Sequence, residues 1–430
     1  MPHEGTKRTG DPAGRAIGYV ADAGLLLLFP AFVLYHYSVA SGWLPAFAGG
    51  LFGPSAALMA VFGLVHVAIS APGWKHRAPL LELAFIALVS YIVLWTFAAV
   101  ALGGHRSYTE AAVTEALTTV AIWLAAFFIG ARISMRERRN WRLLSLLAAI
   151  IAVCFVHAVA VHGSFVGPLL TFQGDAGLAD AGTTYQGIGR AILVVAIVLS
   201  VLRVGFLSQL SVLWVATVAL MALGSRAHLF AILLLMALHV LVLGFRRRNL
   251  LAGVLALLAA GGAGFAGWEI FLDTRAAEIL ELATSTSWQE RLFASDEAVR
   301  VIREDPFLGA FGYHWADRSA GYAHNLLSAW AGFGGVAFAL VLGMMVYALA
   351  VSATRVLLAE QPSAAWRMAF QFNAVALLLA IASEPIYASV FPALGWGSTV
   401  AALRRERARY LTLAELTQRW WAAAPQLGRN

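Results

Sequence analysis

The stretch PLLELAFIALVSYIVLWTFAAVALG, residues 79–103, carries a single charge, Glu82, and follows the basic pair Lys75 and Arg77. A helix rises about 1.5 Å per residue, so a run of this length crosses a hydrocarbon core of about 30 Å. It is too long and too uniformly apolar for a β-barrel strand, which leaves a transmembrane helix. Comparable runs recur along the chain, at roughly 17–39, 51–70, 111–131, 143–161, 187–204, 208–223, 227–244, 249–271, 326–350, 368–383 and 386–402. With 79–103 they make about twelve crossings. Glu384-Pro385 leaves the last two as either a tight hairpin or a re-entrant pair.

Composition points the same way. The 430 residues are 60% hydrophobic and 12% charged, whereas a soluble domain carries about 25% charged residues. The expected fold is therefore all-α, a polytopic membrane protein of about twelve transmembrane helices, with residues 1–430 forming a single integral-membrane domain. Placing the N-terminus in the cytoplasm gathers Lys75, Arg77, the run Arg132 to Arg142, Arg246 to Arg248, Arg355, Arg367 and the cluster Arg404 to Arg409 on one side. Both termini are then cytoplasmic. Segment 273–325, where acidic residues outnumber basic ones, becomes a large extracytoplasmic loop inserted between two spans. The net charge of +7 reflects this topology and attraction to anionic lipid heads, and implies no nucleic-acid partner. The single cysteine, Cys154, lies in an apolar span and offers neither a disulfide nor a thiolate metal site. The first apolar run is longer than a signal-peptide core and reads as a retained helix.

The 273–325 loop has a pattern of its own. Apolar residues at Leu292, Ala298, Val299 and Ile302 suit one or two short helices on the membrane face. Ser295 and Asp296 are placed to cap the second, and Pro306 to end it. Gly309 to Tyr313 reads as a turn back toward the membrane. His324-Asn325 opens the next span, and Arg226 opens an earlier one. Cationic and imidazole groups thus gather at one membrane face, which suits a lipid-linked anionic substrate.

The ordered set GSRAHLF (224–230), SWQERLF (287–293), DPFLGAFGY (305–313), His324-Asn325 and GFGG (332–335) resembles the superfamily of O-antigen ligases and O-antigen polymerases. The resemblance holds in motif order over about 180–350, with Ala227 where many relatives carry glycine. It implies an inverting glycosyltransferase that moves a glycan from undecaprenyl diphosphate to an acceptor sugar hydroxyl at the periplasmic face of the bacterial inner membrane. The acceptor would be another glycan or lipid A core, in a setting of membrane lipids and without a cofactor. On the same resemblance Arg226 and Arg291 correspond to the family's functional arginines and His324 to its catalytic histidine.

The residue chemistry fits those roles. Guanidinium groups stabilise a diphosphate leaving group through planar, always-charged hydrogen bonds, and an imidazole takes the proton of an attacking hydroxyl near neutral pH. Arg190, at the start of a span, needs a partner or a polar cavity and is a further diphosphate-binding candidate. Arg300, Arg303, His314 and Arg318 share the loop and are candidate substrate contacts. Each has a structural rival. Arg226 could anchor its helix at the interface, Arg291, Arg300 and Arg303 could pair with Glu290, Asp296 and Glu304, and Asn325 suits a helix cap. For Asp22, Glu82, Glu115 and Glu384 the default expectation is pairing with an arginine, and for His36, His66, His157 and His239 a bond to a neighbouring helix. There is no GxxxxGK[ST] loop, Asp-x-Asp pair or HExxH, so the chemistry is expected to be metal-independent. A transporter or flippase of lipid-linked oligosaccharide is the alternative class, and it would spread its charges through the bilayer depth. Ligase and polymerase share all these parts and stay undivided.

Overall fold

The computed structural model describes residues 12–45, 52–70, 80–102, 110–133, 138–162, 185–203, 205–241, 251, 254, 286–316, 323–382 and 384–408. Among them every regular element is helical: α1 Pro12–Leu28, α2 Pro30–Ala40, α3 Phe52–Ser70, α4 Leu80–Leu102, α5 Glu110–Arg132, α6 Arg138–His162 and α7 Tyr185–Leu202. There follow α8 Phe206–Ala222, α9 Arg226–His239, α10 Thr286–Glu304, α11 Tyr313–Ala316, α12 Leu327–Leu358 and α13 Ala364–Ala382. The helical residues 391–408 make α14. Six stretches among the described residues are long and apolar enough to cross a membrane: Arg15–Val39, Leu80–Ala101, Glu110–Arg132, Asn140–Ala158, Leu327–Leu358 and Ala364–Ala382. Shorter apolar helices occupy Phe52–Ala68, Gln186–Leu202, Phe206–Ala222 and Arg226–His239. The expected span at 249–271 falls almost wholly outside the described residues.

The first span is one crossing bent at Phe29-Pro30. Pro30 has no N–H to give, yet the bonds Phe29 N–H to Leu25 O and Val33 N–H to Phe29 O, both 3.2 Å, carry the helix past the bend. In the core, α5 packs closely on α3 and α14 through glycines. A Cβ on Gly63 would stand 2.7 Å from the Leu124 carbonyl, and one on Gly130 would stand 3.0 Å from Ser398 N. Small residues let the backbones approach, which is how helices gain packing in a solvent as apolar as their own side chains. Phe85 of α4 stacks on Phe127 of α5 at 4.1 Å, and Trp123 of α5 meets Trp396 of α14 edge-on at 5.8 Å.

Polar clusters sit toward both ends of α5. Near its C-terminus, Arg132 Nε donates to His66 Nδ1 at 3.1 Å, and Glu82 on α4 accepts from Arg404 Nη2 at 2.5 Å. Nearer its N-terminus, Glu115 Oε2 lies 2.7 Å from His314 Nε2. Of the four carboxylates singled out within or beside apolar runs, Glu82 and Glu384 thus have arginine partners, Glu115 has a histidine and Asp22 accepts from Asn140 Nδ2 at 2.9 Å. His66 and His157 bond across helices as expected, the latter to the Tyr37 hydroxyl at 2.6 Å.

The loop helix is continuous over Thr286–Glu304. Of the one or two short helices expected there, one is found over these residues, and Ser295 and Asp296 stand in its middle rather than at the start of a second. The helix formers flanking the pair, Glu290, Arg291, Leu292 and Ala294 before it and Glu297, Ala298 and Arg300 after it, outweigh the weak stop signal of one Ser-Asp pair. Ser295 instead accepts a hydrogen bond from Asn325 Nδ2 at 3.3 Å. The helix ends ahead of Pro306, with Asp305 Oδ1 accepting from Leu308 N–H at 3.0 Å. The following turn docks into a break in α12. Gly334 has φ 80° and ψ 176° inside that helix, a combination essentially confined to glycine. Groups freed at the break find partners outside the helix. Ala331 O accepts from Ala310 N–H at 2.7 Å, Gly335 N–H reaches Pro306 O and Phe307 O at 3.1 Å, and Phe333 O accepts from the Tyr91 hydroxyl at 2.9 Å. Gly309, at φ 67°, lies so close that a Cβ there would stand 2.6 Å from Ala331 O. The pairing of DPFLGAFGY with GFGG is therefore a docking joint between the loop and α12.

Candidate active site

Beside the joint, a cavity of about 630 Å³ opens between α1, α2, α3, α5, α7 and the turn after α13. Its apolar wall includes Leu28, Phe29, Phe32 and Phe52, and its polar wall includes Glu110, Thr114, Glu115, Thr118 and Arg190. The polar residues of α5 recur at helical spacing and so share one face.

Arg190 reaches the cavity from the first turns of α7. Its Nε donates to Glu384 Oε1 at 2.9 Å, and His228 Nε2 lies 2.9 Å from the same oxygen. Burial by itself would push the Glu384 carboxyl up, but the Arg190 charge and the contact with His228 outweigh it and hold the group at about 2. Glu384 stands in the irregular turn between α13 and α14. That turn is tied down by Ile386 N–H to Ser328 Oγ at 3.1 Å, by Thr119 Oγ1 to Tyr387 O at 3.1 Å, by Trp123 Nε1 to Ser389 O at 3.0 Å, and by the Tyr387 hydroxyl to Ser328 O.

His324 lies just ahead of α12 and is partly buried. Burial first, and the nearby Arg291 charge second, lower its pKa to about 4, while Glu384 acts in the opposite direction. Arg291, on the loop helix α10, is thus within electrostatic reach of His324. Asn325 Oδ1 accepts from Leu327 N–H at 3.0 Å at the entrance of α12. His314 is buried against Glu115, and its ring stacks on Tyr387 at 5.8 Å. The Tyr313 hydroxyl accepts from Ala323 N–H at 3.3 Å, and burial raises its pKa to about 12.

The structure therefore joins Arg190 directly to Glu384 and places His324 within electrostatic reach of both Glu384 and Arg291. Arg226 begins α9 and is half-buried, two residues before His228. Arg300 and Arg303 point to the exposed side of α10, where Arg300 is engaged by Glu297 and by Glu304, the latter at 2.5 Å. Arg318 lies outside the described residues. Sequence reasoning named Glu384 without its histidine, and passed over His228 and Ser225 although both stand inside GSRAHLF. An ionisable side chain three residues after a serine at a helix start was the available signal. Among the described residues no group of three or more His, Cys, Asp or Glu is arranged to hold a metal ion.

Residues 211–342 match a family model described as O-antigen ligase. A comparison with curated proteins found no match.

Proposed function

From the O-antigen ligase and polymerase superfamily, which the match over residues 211–342 supports, we propose that the protein transfers a glycan from undecaprenyl diphosphate to an acceptor sugar hydroxyl at the periplasmic face of the inner membrane. The observation that carries this reading is the cavity itself. One wall is apolar and suits a polyprenyl chain, and the other presents Arg190 to an anionic head. In the reaction, the acceptor oxygen attacks the anomeric carbon while the bond to the diphosphate breaks. Undecaprenyl diphosphate leaves with the electron pair, and the hydroxyl proton passes to His324. A single displacement of this kind inverts the anomeric centre.

Arg190, Arg291 and Arg226 would carry the growing negative charge, as preorganised donors that need no metal ion. Arg300, Arg303, His314 and Arg318 remain candidate contacts for the glycan, and Asn325 would hold the entrance of α12 that aims His324. The grouping of Arg190, His228, Glu384 and His324 supports an enzyme over a flippase, whose charges should follow the bilayer depth.

The test uses purified protein in liposomes with an undecaprenyl-diphosphate-linked glycan and an acceptor glycan, without nucleotide, ion gradient or divalent metal. Transfer with release of undecaprenyl diphosphate is expected. Movement of the lipid-linked glycan between leaflets with no transfer would overturn the reading.

A further inference from the structure

Four side chains from three distant segments form a continuous polar line inside the bundle. Ser225 Oγ lies 2.7 Å from His228 Nδ1, His228 Nε2 lies 2.9 Å from Glu384 Oε1, and Arg190 Nε donates to that same oxygen at 2.9 Å. Ser225, His228 and Glu384 are 1%, 0% and 3% exposed, and none of them lines the cavity, whereas Arg190 does. His228 Nε2 faces the Glu384 carboxylate at ion-pair distance and out of line for a hydrogen bond, whereas Ser225 and His228 share one. The chain is also shaped to admit this contact. A Cβ on Gly189 would stand 2.7 Å from Ser225 Oγ and 2.9 Å from His228 Nδ1.

Burying such a line costs desolvation that well-packed apolar residues would avoid. What it achieves is orientation. With Nε held by Glu384, the guanidinium plane of Arg190 is fixed and its two terminal nitrogens remain for bidentate contact with a phosphate. We propose that Ser225, His228 and Glu384 are positioning residues that lock the Arg190 guanidinium in the cavity so that its terminal nitrogens meet the diphosphate of the lipid-linked donor. This rests on the donor assigned above. It also gives part of the GSRAHLF motif a role distinct from that of Arg226: Ser225 and His228 brace an arginine on another helix.

The experiment measures the affinity of the full-length protein in detergent for undecaprenyl diphosphate, a ligand that carries the diphosphate and does not react. Glu384→Gln keeps the size and an acceptor oxygen but loses the charge that aligns Arg190. It should weaken binding about 100-fold, the scale of loss when one partner of a buried, hydrogen-bonded charge pair at a binding site is removed. Arg190→Ala should do at least as much, and the double variant should bind no more weakly than Arg190→Ala, because Glu384 acts through Arg190. His228→Gln should cost less, about tenfold, since Glu384 keeps its charge. Melting temperatures of all variants are read alongside, as a merely structural role lowers them without changing affinity. Normal affinity in folded Glu384→Gln, or losses that multiply in the double variant, would overturn the proposal while leaving the donor reading intact if Arg190→Ala binds weakly. Should Glu384→Gln not fold, wild-type affinity in both His228→Gln and Ser225→Ala overturns it. Wild-type protein with no affinity for undecaprenyl diphosphate would overturn the donor reading and this inference together.

Discussion

Lowering the pH from about 7.5 to about 5.5 should leave kcat/KM, which reports the free enzyme, almost unchanged, although the proposed base is a histidine. Protonation silences the base, so the rate holds above the pKa of His324 and falls about tenfold per unit below it. That pKa is lowered to about 4 by burial and by Arg291. At about pH 5.5 such a ring is still about 97% neutral, whereas an ordinary histidine of pKa about 6.5 would be about 90% protonated and the rate would drop about tenfold. The measurement is kcat/KM at low donor concentration, which reports the free enzyme, with donor binding determined at both pH values. A bound diphosphate offsets the Arg291 charge but not the burial, so the acid limb of kcat should lie above that of kcat/KM without reaching about 6.5. Replacing Arg291 with Gln should shift the kcat/KM limb in the same direction. A tenfold loss of kcat/KM at about pH 5.5 with unchanged donor binding would refute the reasoning, because the ring would then not be held as the structure places it.

His324→Ala should lose turnover by about 10²–10⁴-fold in the reconstituted transfer assay, with undecaprenyl diphosphate affinity largely kept. Gly334→Ala should destabilise the protein by about 3 kcal/mol or more, from a disfavoured backbone conformation and the loss of at least two hydrogen bonds of the docking joint; a thermal melt together with proteolysis across 305–312 checks this. Arg226→Lys should transfer more slowly than wild type despite its charge, because an ammonium cannot reproduce the planar fork, and full activity in a well-expressed Arg226→Ala protein would reduce that residue to an anchor. Reporter fusions near residues 140 and 247 and at the C-terminus should read cytoplasmic and one near 310 periplasmic, as the positive-inside rule requires.

Span positions were legible because hydrocarbon thickness imposes them. The run 79–103 appears as Leu80–Leu102, 111–131 as Glu110–Arg132 and 51–70 as Phe52–Ser70. Legibility failed where helices outrun the hydrocarbon. The expected 326–350 continues to Leu358, and 143–161 begins at Arg138, because helix-forming residues keep the backbone bonds going after hydropathy has faded. Pro30 and Gly334 could be seen in the sequence, but the bend at the first and the break at the second depend on what stands opposite. At Gly334 that is the Pro306–Ala310 turn and the Tyr91 hydroxyl.

The sequence by itself determined the class, the helical architecture and the residue types from which the site is built, since burial of backbone in lipid leaves few options and an intramembrane charge must find a partner. It did not say which partner. The convergence of Arg190 and His228 on one carboxylate oxygen of Glu384, the reach of Arg291 to His324 and the seating of the loop on the broken helix were decided by tertiary structure. Residues more than a hundred positions apart meet through helix order and rotation, and these are set by glycine-mediated packing and satisfied hydrogen bonds, which no local periodicity encodes.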